Sequence, residues 1–191
     1  MRPKYPDDIK GFAMTLHYYS ARVYKYVRQQ FNSSLPHPRQ IRRWYTKVVA
    51  EPGFTQPSFT ALQSAVKSAK ENQNEVLCAL TMDEMSIKKL MQWDGNRFRG
   101  FVDLGTGLTD SDSLPQAREV LVFMVVGVNF HWKIPCGYFF IDGLSGVERA
   151  SLVTLWLKKM HDVGVRVVSL TCDAPTCNIK MFSELGANYA T

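Results

Sequence analysis

The sequence has no apolar stretch near the ~20 residues that a bilayer-spanning helix requires. Its N-terminus, Met1-Arg2-Pro3-Lys4-Tyr5-Pro6, lacks the apolar centre of a secretory signal. Neither membrane insertion nor export is expected, and the chain reads as a soluble intracellular protein. Cysteine is scarce: Cys78, Cys136, Cys172 and Cys177. Only Cys172 and Cys177 are close in sequence, and no histidine lies near them, which argues against a zinc site. The other pairs are far apart, and three of the four sit in apolar, strand-like runs where a thiol behaves as a small hydrophobe. Reduced thiols in a reducing compartment are the expectation. Internal repeats and low-complexity tracts are absent, so a solenoid is not indicated.

What remains is a globular composition. The 191 residues are 46% hydrophobic and 21% charged, enough for one domain or a small one plus a partial one. The net charge of +6 is uneven. Residues 1–50 hold ten Lys/Arg against two Asp/Glu, whereas residues 51–191 hold thirteen against fifteen. A positive field confined to the first quarter is the footprint of a nucleic-acid-binding module. A basic solvated surface would give the same count.

Three helical patterns occupy this first quarter. Asp7 or Asp8 is placed to cap the first, with Ile9, Phe12, Ala13 and Leu16 inward. Ser20 is placed to cap the second, which turns Val23, Tyr24, Val27 and Phe31 inward and breaks at Asn32-Ser33-Ser34-Leu35-Pro36. Pro38 suits the first turn of a third. There Ile41, Trp44, Tyr45 and Val48 form an apolar stripe, and Arg39, Arg42, Arg43 and Lys47 fall on the opposite side. Cations presented this way suit a recognition helix gripping phosphates or guanine edges. They equally suit a solvated amphipathic helix. Glu51-Pro52-Gly53 ends the segment, and a further helix from Ser58, with Phe59, Leu62, Val66 and Ala69 inward, reads as a connector over residues 51–73.

From Val76 the period changes. Residues 76–82 form a continuous apolar run that Asp83 closes, the pattern of a strand buried on both faces. Asp94-Gly95-Asn96 signals a hairpin between residues 91–93 and 98–102. A polar loop over 105–116 precedes a long strand over 119–130, and Tyr138-Phe139-Phe140-Ile141 forms another after Pro135. Ser145 and Glu148 make a capping box for a helix that buries Leu152, Leu155, Trp156, Met160 and Val163 and stops at Gly164. Val165–Leu170 is a strand leading into Thr171-Cys172-Asp173, and Asn178 opens a last short helix.

A helix between strands implies a crossover, so the strand at 165–172 should lie parallel to another strand. Pairing with the first strand would bring Asp83 and Asp173 together at the carboxyl edge of the sheet, where α/β ligand sites lie. Two carboxylates there invite Mg²⁺, which prefers oxygen ligands and could activate water against a phosphodiester. Taken singly, Asp83 could cap the following turn and Asp173 could be an ordinary turn former.

These motifs in this order resemble P-element-type and THAP-domain transposases. The resemblance rests on Thr81-Met82-Asp83-Glu84-Met85-Ser86-Ile87, on Trp93-Asp94-Gly95 with Gly100-Phe101-Val102-Asp103, and on Leu121-Val122-Phe123-Met124. Trp132-Lys133-Ile134-Pro135, Gly137-Tyr138-Phe139 and Thr171-Cys172-Asp173 extend it, as do Leu35-Pro36-His37-Pro38 and Ile41-Arg42-Arg43-Trp44-Tyr45. It covers nearly the whole chain. It implies an α/β protein: an all-α helix-turn-helix segment (1–50), a helical connector (51–73) and an incomplete ribonuclease-H-like mixed sheet with flanking helices (74–191).

By resemblance Asp83 and Asp173 are the first two members of a catalytic, metal-binding acidic triad for Mg²⁺ or Mn²⁺. Glu84 should point to the opposite face and be structural. The third acidic residue is expected beyond Thr191, so metal should bind weakly and the isolated chain should be largely inactive. The family's guanine-nucleotide-binding insertion and zinc-binding finger are not found, so no GTP site is carried over. Ala174 stands where the family usually has glycine, and would be strained at a positive φ.

The implied function is that of a transposase portion that binds DNA through Arg39, Arg42, Arg43 and Lys47 and takes part in strand cleavage and transfer in the nucleus. The alternative is a domesticated DNA-binding or regulatory protein that keeps the fold without the chemistry. DNA is the expected partner, a membrane is not, and self-association is compatible with either reading.

Overall fold

A computed structural model describes residues 5–45, 51–71, 75–95, 97–107 and 114–188. The chain divides into two compact units, Met1–Ala50 and Glu51–Thr191. No helix among the described residues is long and apolar enough to cross a membrane.

The first unit contains α1 (Asp7–Tyr19), α2 (Ala21–Gln30) and α3 (Pro38–Tyr45). Ser20 caps α2, its hydroxyl accepting the Val23 N–H at 3.2 Å. Neither Asp7 nor Asp8 caps α1: Pro6 occupies the N-cap, and Asp8 accepts from its neighbour Ile9. The core is small, built on Ala13, Tyr24, Leu35 and Ile41. Three short helices enclose little volume, so Phe12, Val23 and Phe31, expected inside, remain about half exposed. The turn between α2 and α3 places Asn32 and Ser33 at positive φ. It is held from α2: Arg28 donates to the carbonyls of Ser33 and Leu35 at 3.1 and 3.0 Å, and the Tyr24 hydroxyl donates to that of Pro36 at 2.5 Å.

The second unit is a mixed five-stranded sheet with helices. Its elements are β1 (Gly53–Phe54), α4 (Gln56–Glu71), β2 (Leu77–Ser86), β3 (Gln92–Trp93), β4 (Phe98–Arg99), β5 (Glu119–Gly127), β6 (Lys133–Ile141), α5 (Gly146–Asp162), β7 (Arg166–Thr171) and α6 (Thr176–Glu184). The strand order is β1-β6-β5-β2-β7, and β3 and β4 form a separate two-stranded hairpin. Strands β2, β5 and β6 pair antiparallel, and β7 joins β2 in parallel. This is the crossover expected of the helix between them.

Residues 51–71, the described part of the expected connector, pack within this unit. β1 pairs with β6, and α4 buries the four residues of its apolar stripe, Phe59, Leu62, Val66 and Ala69, in the same core as the sheet. Facing them are Cys78, Leu80 and Met82 of β2, Leu121, Phe123 and Val125 of β5, and Trp156 and Met160 of α5. Trp156 is fully buried and donates its indole N–H to Cys136 Sγ at 2.9 Å.

Several boundaries differ from the sequence expectation. β2 runs past Asp83 to Ser86, because β5 offers backbone partners that far, with Ser86 opposite Glu119. β5 stops at Gly127, where the chain reverses and the Gly127 N–H donates to the Trp132 carbonyl at 3.0 Å. β6 begins before Pro135 rather than after it. A register shift against β5 between Phe123 and Met124 accommodates the residue that cannot donate. Asn96 of the hairpin signal and residues 108–113 of the polar loop lie outside the described residues.

The capping box of α5 is present in both directions. The Ser145 hydroxyl and backbone N–H hold the Glu148 carboxyl below the usual carboxylate range. A carboxylate with a depressed folded pKa stabilises the fold above its unfolded value, 4.5, and loses that contribution as pH falls through the folded value. The stability difference between the native chain and Glu148→Ala should therefore be full at neutral pH and shrink in melts recorded progressively below about pH 4.5. A difference independent of pH would show that the carboxylate does not act through its charge.

Candidate functional site

Asp83 and Asp173 lie at the same end of two adjacent parallel strands. The register of β2 with β7 ends at Thr81 opposite Thr171, and each aspartate follows two residues later. Alternation along β2 sends Cys78, Leu80 and Met82 into the core and Asp83 to the other face, where it is exposed. Its place is fixed by pairing with Val122 of β5. The Asp83 Oδ1 accepts the Glu84 N–H at 2.9 Å. Asp173, also exposed, lies in the loop between β7 and α6.

Behind the aspartates is a polar network that the sequence did not reveal. Glu84 follows Met82 onto the core side of β2 and pairs there with Arg149, whose side chain is 3% exposed. Arg149 also donates from Nε to the Leu144 carbonyl at 3.1 Å and from Nη1 to Asn178 Oδ1 at 3.0 Å. Asn178, 1% exposed, donates from Nδ2 to Asp173 at both the backbone carbonyl, 3.2 Å, and Oδ1, 2.8 Å. Asn178 does not open α6. Pro175 is the N-cap, and Asn178 lies in the first turn with its side chain inward.

The buried face of α5 is correspondingly rotated from expectation. Gly146, Arg149, Val153, Trp156 and Met160 are buried, while Leu155 is 47% exposed. An arginine in step with that apolar stripe was the available signal, since a buried cation requires a partner. Ala174 has no positive φ. Among the described non-glycine residues only Asn32 and Ser33 do, so alanine is unstrained there.

The donor set suits a hard cation. Asp83 and Asp173 offer carboxylate oxygens on an open edge. Thiolates are disfavoured, because burial pushes Cys78 up to about 11 and Cys136 up to about 12. Cys172, beside Asp173, is also raised, first by burial and then by the aspartate charge. Among the described residues no three His, Cys, Asp or Glu side chains cluster as a metal site, so two carboxylates are what this edge supplies. The cleft lined by Pro52, Arg97, Arg99, Phe101 and Phe140 includes neither aspartate.

The second constellation belongs to the first unit. Arg39, Arg42 and Arg43 are exposed on α3, opposite the fully buried Ile41. Lys47 and Val48 lie outside the described residues.

Residues 50–186 match the family described as TNP-like, RNase H N-terminal domain. The chain belongs to the P-element-type transposase family. Residues 1–44 separately match the transposable element P transposase-like HTH domain. Among curated relatives of this family, the chain is 37% identical over 185 residues to the DNA transposase THAP9 of Homo sapiens, covering 96% of this chain and 20% of that protein. It is 24% identical over 181 residues to the Transposable element P transposase of Drosophila melanogaster, covering 94% of this chain and 21% of that protein. The chain thus spans about a fifth of the length of these transposases. The solved Drosophila P element transposase strand transfer complex superposes with a TM-score of 0.65 at 23% identity, over 97% of this chain and 37% of that one. That likeness bears on the fold, which is α/β and ribonuclease-H-like.

Proposed function

We propose that this chain is the DNA-binding segment and the first part of the catalytic domain of a P-element-type transposase. In this reading residues 1–50 grip DNA, and the sheet of the second unit carries two of three acidic residues for strand cleavage and transfer. The observation that carries the reading is the parallel pairing of β7 with β2 in a chain of this family, which leaves Asp83 and Asp173 two residues past Thr81 and Thr171. Asp83 and Asp173 would hold Mg²⁺ or Mn²⁺, weakly where no third carboxylate joins them. When bound, the ion would polarise a phosphodiester and lower the pKa of an attacking water. The exposure of both aspartates suits a polymeric substrate laid across a sheet edge. A DNA substrate places the working protein in the nucleus.

Arg39, Arg42 and Arg43 are assigned to the phosphate backbone. Each phosphate contact releases counterions and steepens the dependence of log affinity on log salt by about 0.9. Replacing all three by alanine should flatten that slope by up to about 2.7 in fluorescence-anisotropy titrations of a labelled duplex over a range of salt concentrations. An unchanged slope would remove α3 from the interface.

A further inference from the structure

We propose that Arg149 is a positioning residue for the aspartate pair, acting on Asp173 through Asn178 and on the Asp83 end of β2 through Glu84. The inference rests on the reading of Asp83 and Asp173 as the metal-binding pair.

A guanidinium only donates hydrogen bonds, so it accepts no partner but an acceptor. Arg149 Nη1 meets Asn178 Oδ1 at 3.0 Å, which turns the other end of that amide, the donating Nδ2, toward Asp173. A flipped amide would set N–H against guanidinium and carbonyl oxygen against carboxylate, both repulsive. Arg149 therefore decides the polarity of Asn178, and Asn178 in turn decides where Asp173 Oδ1 sits. Asparagine suits this role because it is neutral and adds no competing negative charge beside the carboxylates. At its other contact Arg149 pairs with Glu84, the residue covalently next to Asp83.

Backbone packing supports this arrangement. At Gly146 an added Cβ would lie 2.6 Å from the Lys180 side chain and 2.9 Å from the Cys177 carbonyl, so α5 approaches α6 closely there. One turn later, Arg149 reaches Asn178. Stability alone is a weak reason to keep such a group, because replacing a buried ion pair with apolar side chains of similar volume is often neutral or favourable. The relay ends on Asp173 and on Glu84, the chain neighbour of Asp83, and that gives the buried charge a purpose.

The test is Mn²⁺ binding to the 191-residue chain, read from the electron paramagnetic resonance signal of free Mn²⁺. Thermal melting of each variant is recorded alongside. Arg149→Lys retains a cation for Glu84 but loses the Nε–H that anchors the side chain on the Leu144 carbonyl and holds Nη1 against Asn178. The Glu84→Gln/Arg149→Met double variant removes both buried charges and keeps the question open where Arg149→Lys fails to fold. Asp83→Asn and Asp173→Asn serve as references. The expected result is folded positioning variants that bind Mn²⁺ tenfold to a hundredfold more weakly, the roughly expected range for loss of a group that orients a metal ligand. Binding that depends on Asp83 and Asp173 but is unchanged in the folded positioning variants would overturn the role of Arg149 and leave the pair intact. Binding that is absent, or indifferent to Asp83→Asn, would overturn the pair and the inference together.

Discussion

On the proposed reading, Asp83→Ala in a transposase containing this chain is expected to lower metal-dependent DNA strand cleavage by roughly a thousandfold or more. A divalent ion contributes several kcal/mol to a phosphodiester transition state, and each 1.36 kcal/mol corresponds to a factor of about ten. Asp83 sits inside β2, paired with Val122 of β5, so the strand should persist when its exposed side chain is shortened. Asp173→Ala should produce a similar loss, and the double variant little more, because groups that act as a unit are not additive. Anisotropy titrations with labelled duplex should show DNA binding retained in all three, since α3 belongs to the other compact unit. Cleavage that survives either substitution would sink the assignment. DNA binding with no cleavage even in the unaltered protein would favour the domesticated, regulatory reading instead.

Arg149→Met alone should destabilise the second unit by about 3–5 kcal/mol, the range for removing one partner of a buried ion pair. The loss comes from what is left behind: Glu84, whose side chain is 21% exposed, and Asn178 Oδ1 both lose their donor. Domains are stable by only about 5–15 kcal/mol, so this is a large share of the total. Adding Glu84→Gln should return most of the loss, because the uncompensated charge is then gone. Urea unfolding followed by circular dichroism would read the shift in midpoint for the single and double variants. A single variant as stable as the native chain would show that Glu84 is adequately solvated without Arg149. A double variant no more stable than the single would place the cost at Asn178 and Leu144 instead.

Local chemistry was legible in the sequence wherever a short-range period or a cap decides the structure. The stripe of Phe59, Leu62, Val66 and Ala69 is buried on α4 as its spacing indicates. Ser20 and Ser145 cap the helices they precede, and Gly164 takes the positive φ that ends α5. The parallel pairing of β7 with β2 followed from the need to cross over through a helix. Boundaries were less legible, because strands end where their partners do: β2 outlasts its apolar run as long as β5 pairs with it.

The network behind the aspartates was invisible for a different reason. Hydrophobic periodicity assigns charged residues to the surface, so it turned Leu155 inward and passed over Arg149. Asn178 read as a helix opener because asparagine favours that position, yet it lies within the first turn, facing Asp173. Burial of a cation or an amide depends on partners brought by other segments, here Glu84 from β2 and Asp173 from the end of β7. The sequence by itself determined the periods, the caps and the residue types at the sheet edge. Only the tertiary structure decided which polar groups meet inside, because complementary hydrogen bonds between distant segments leave no periodic trace in the chain.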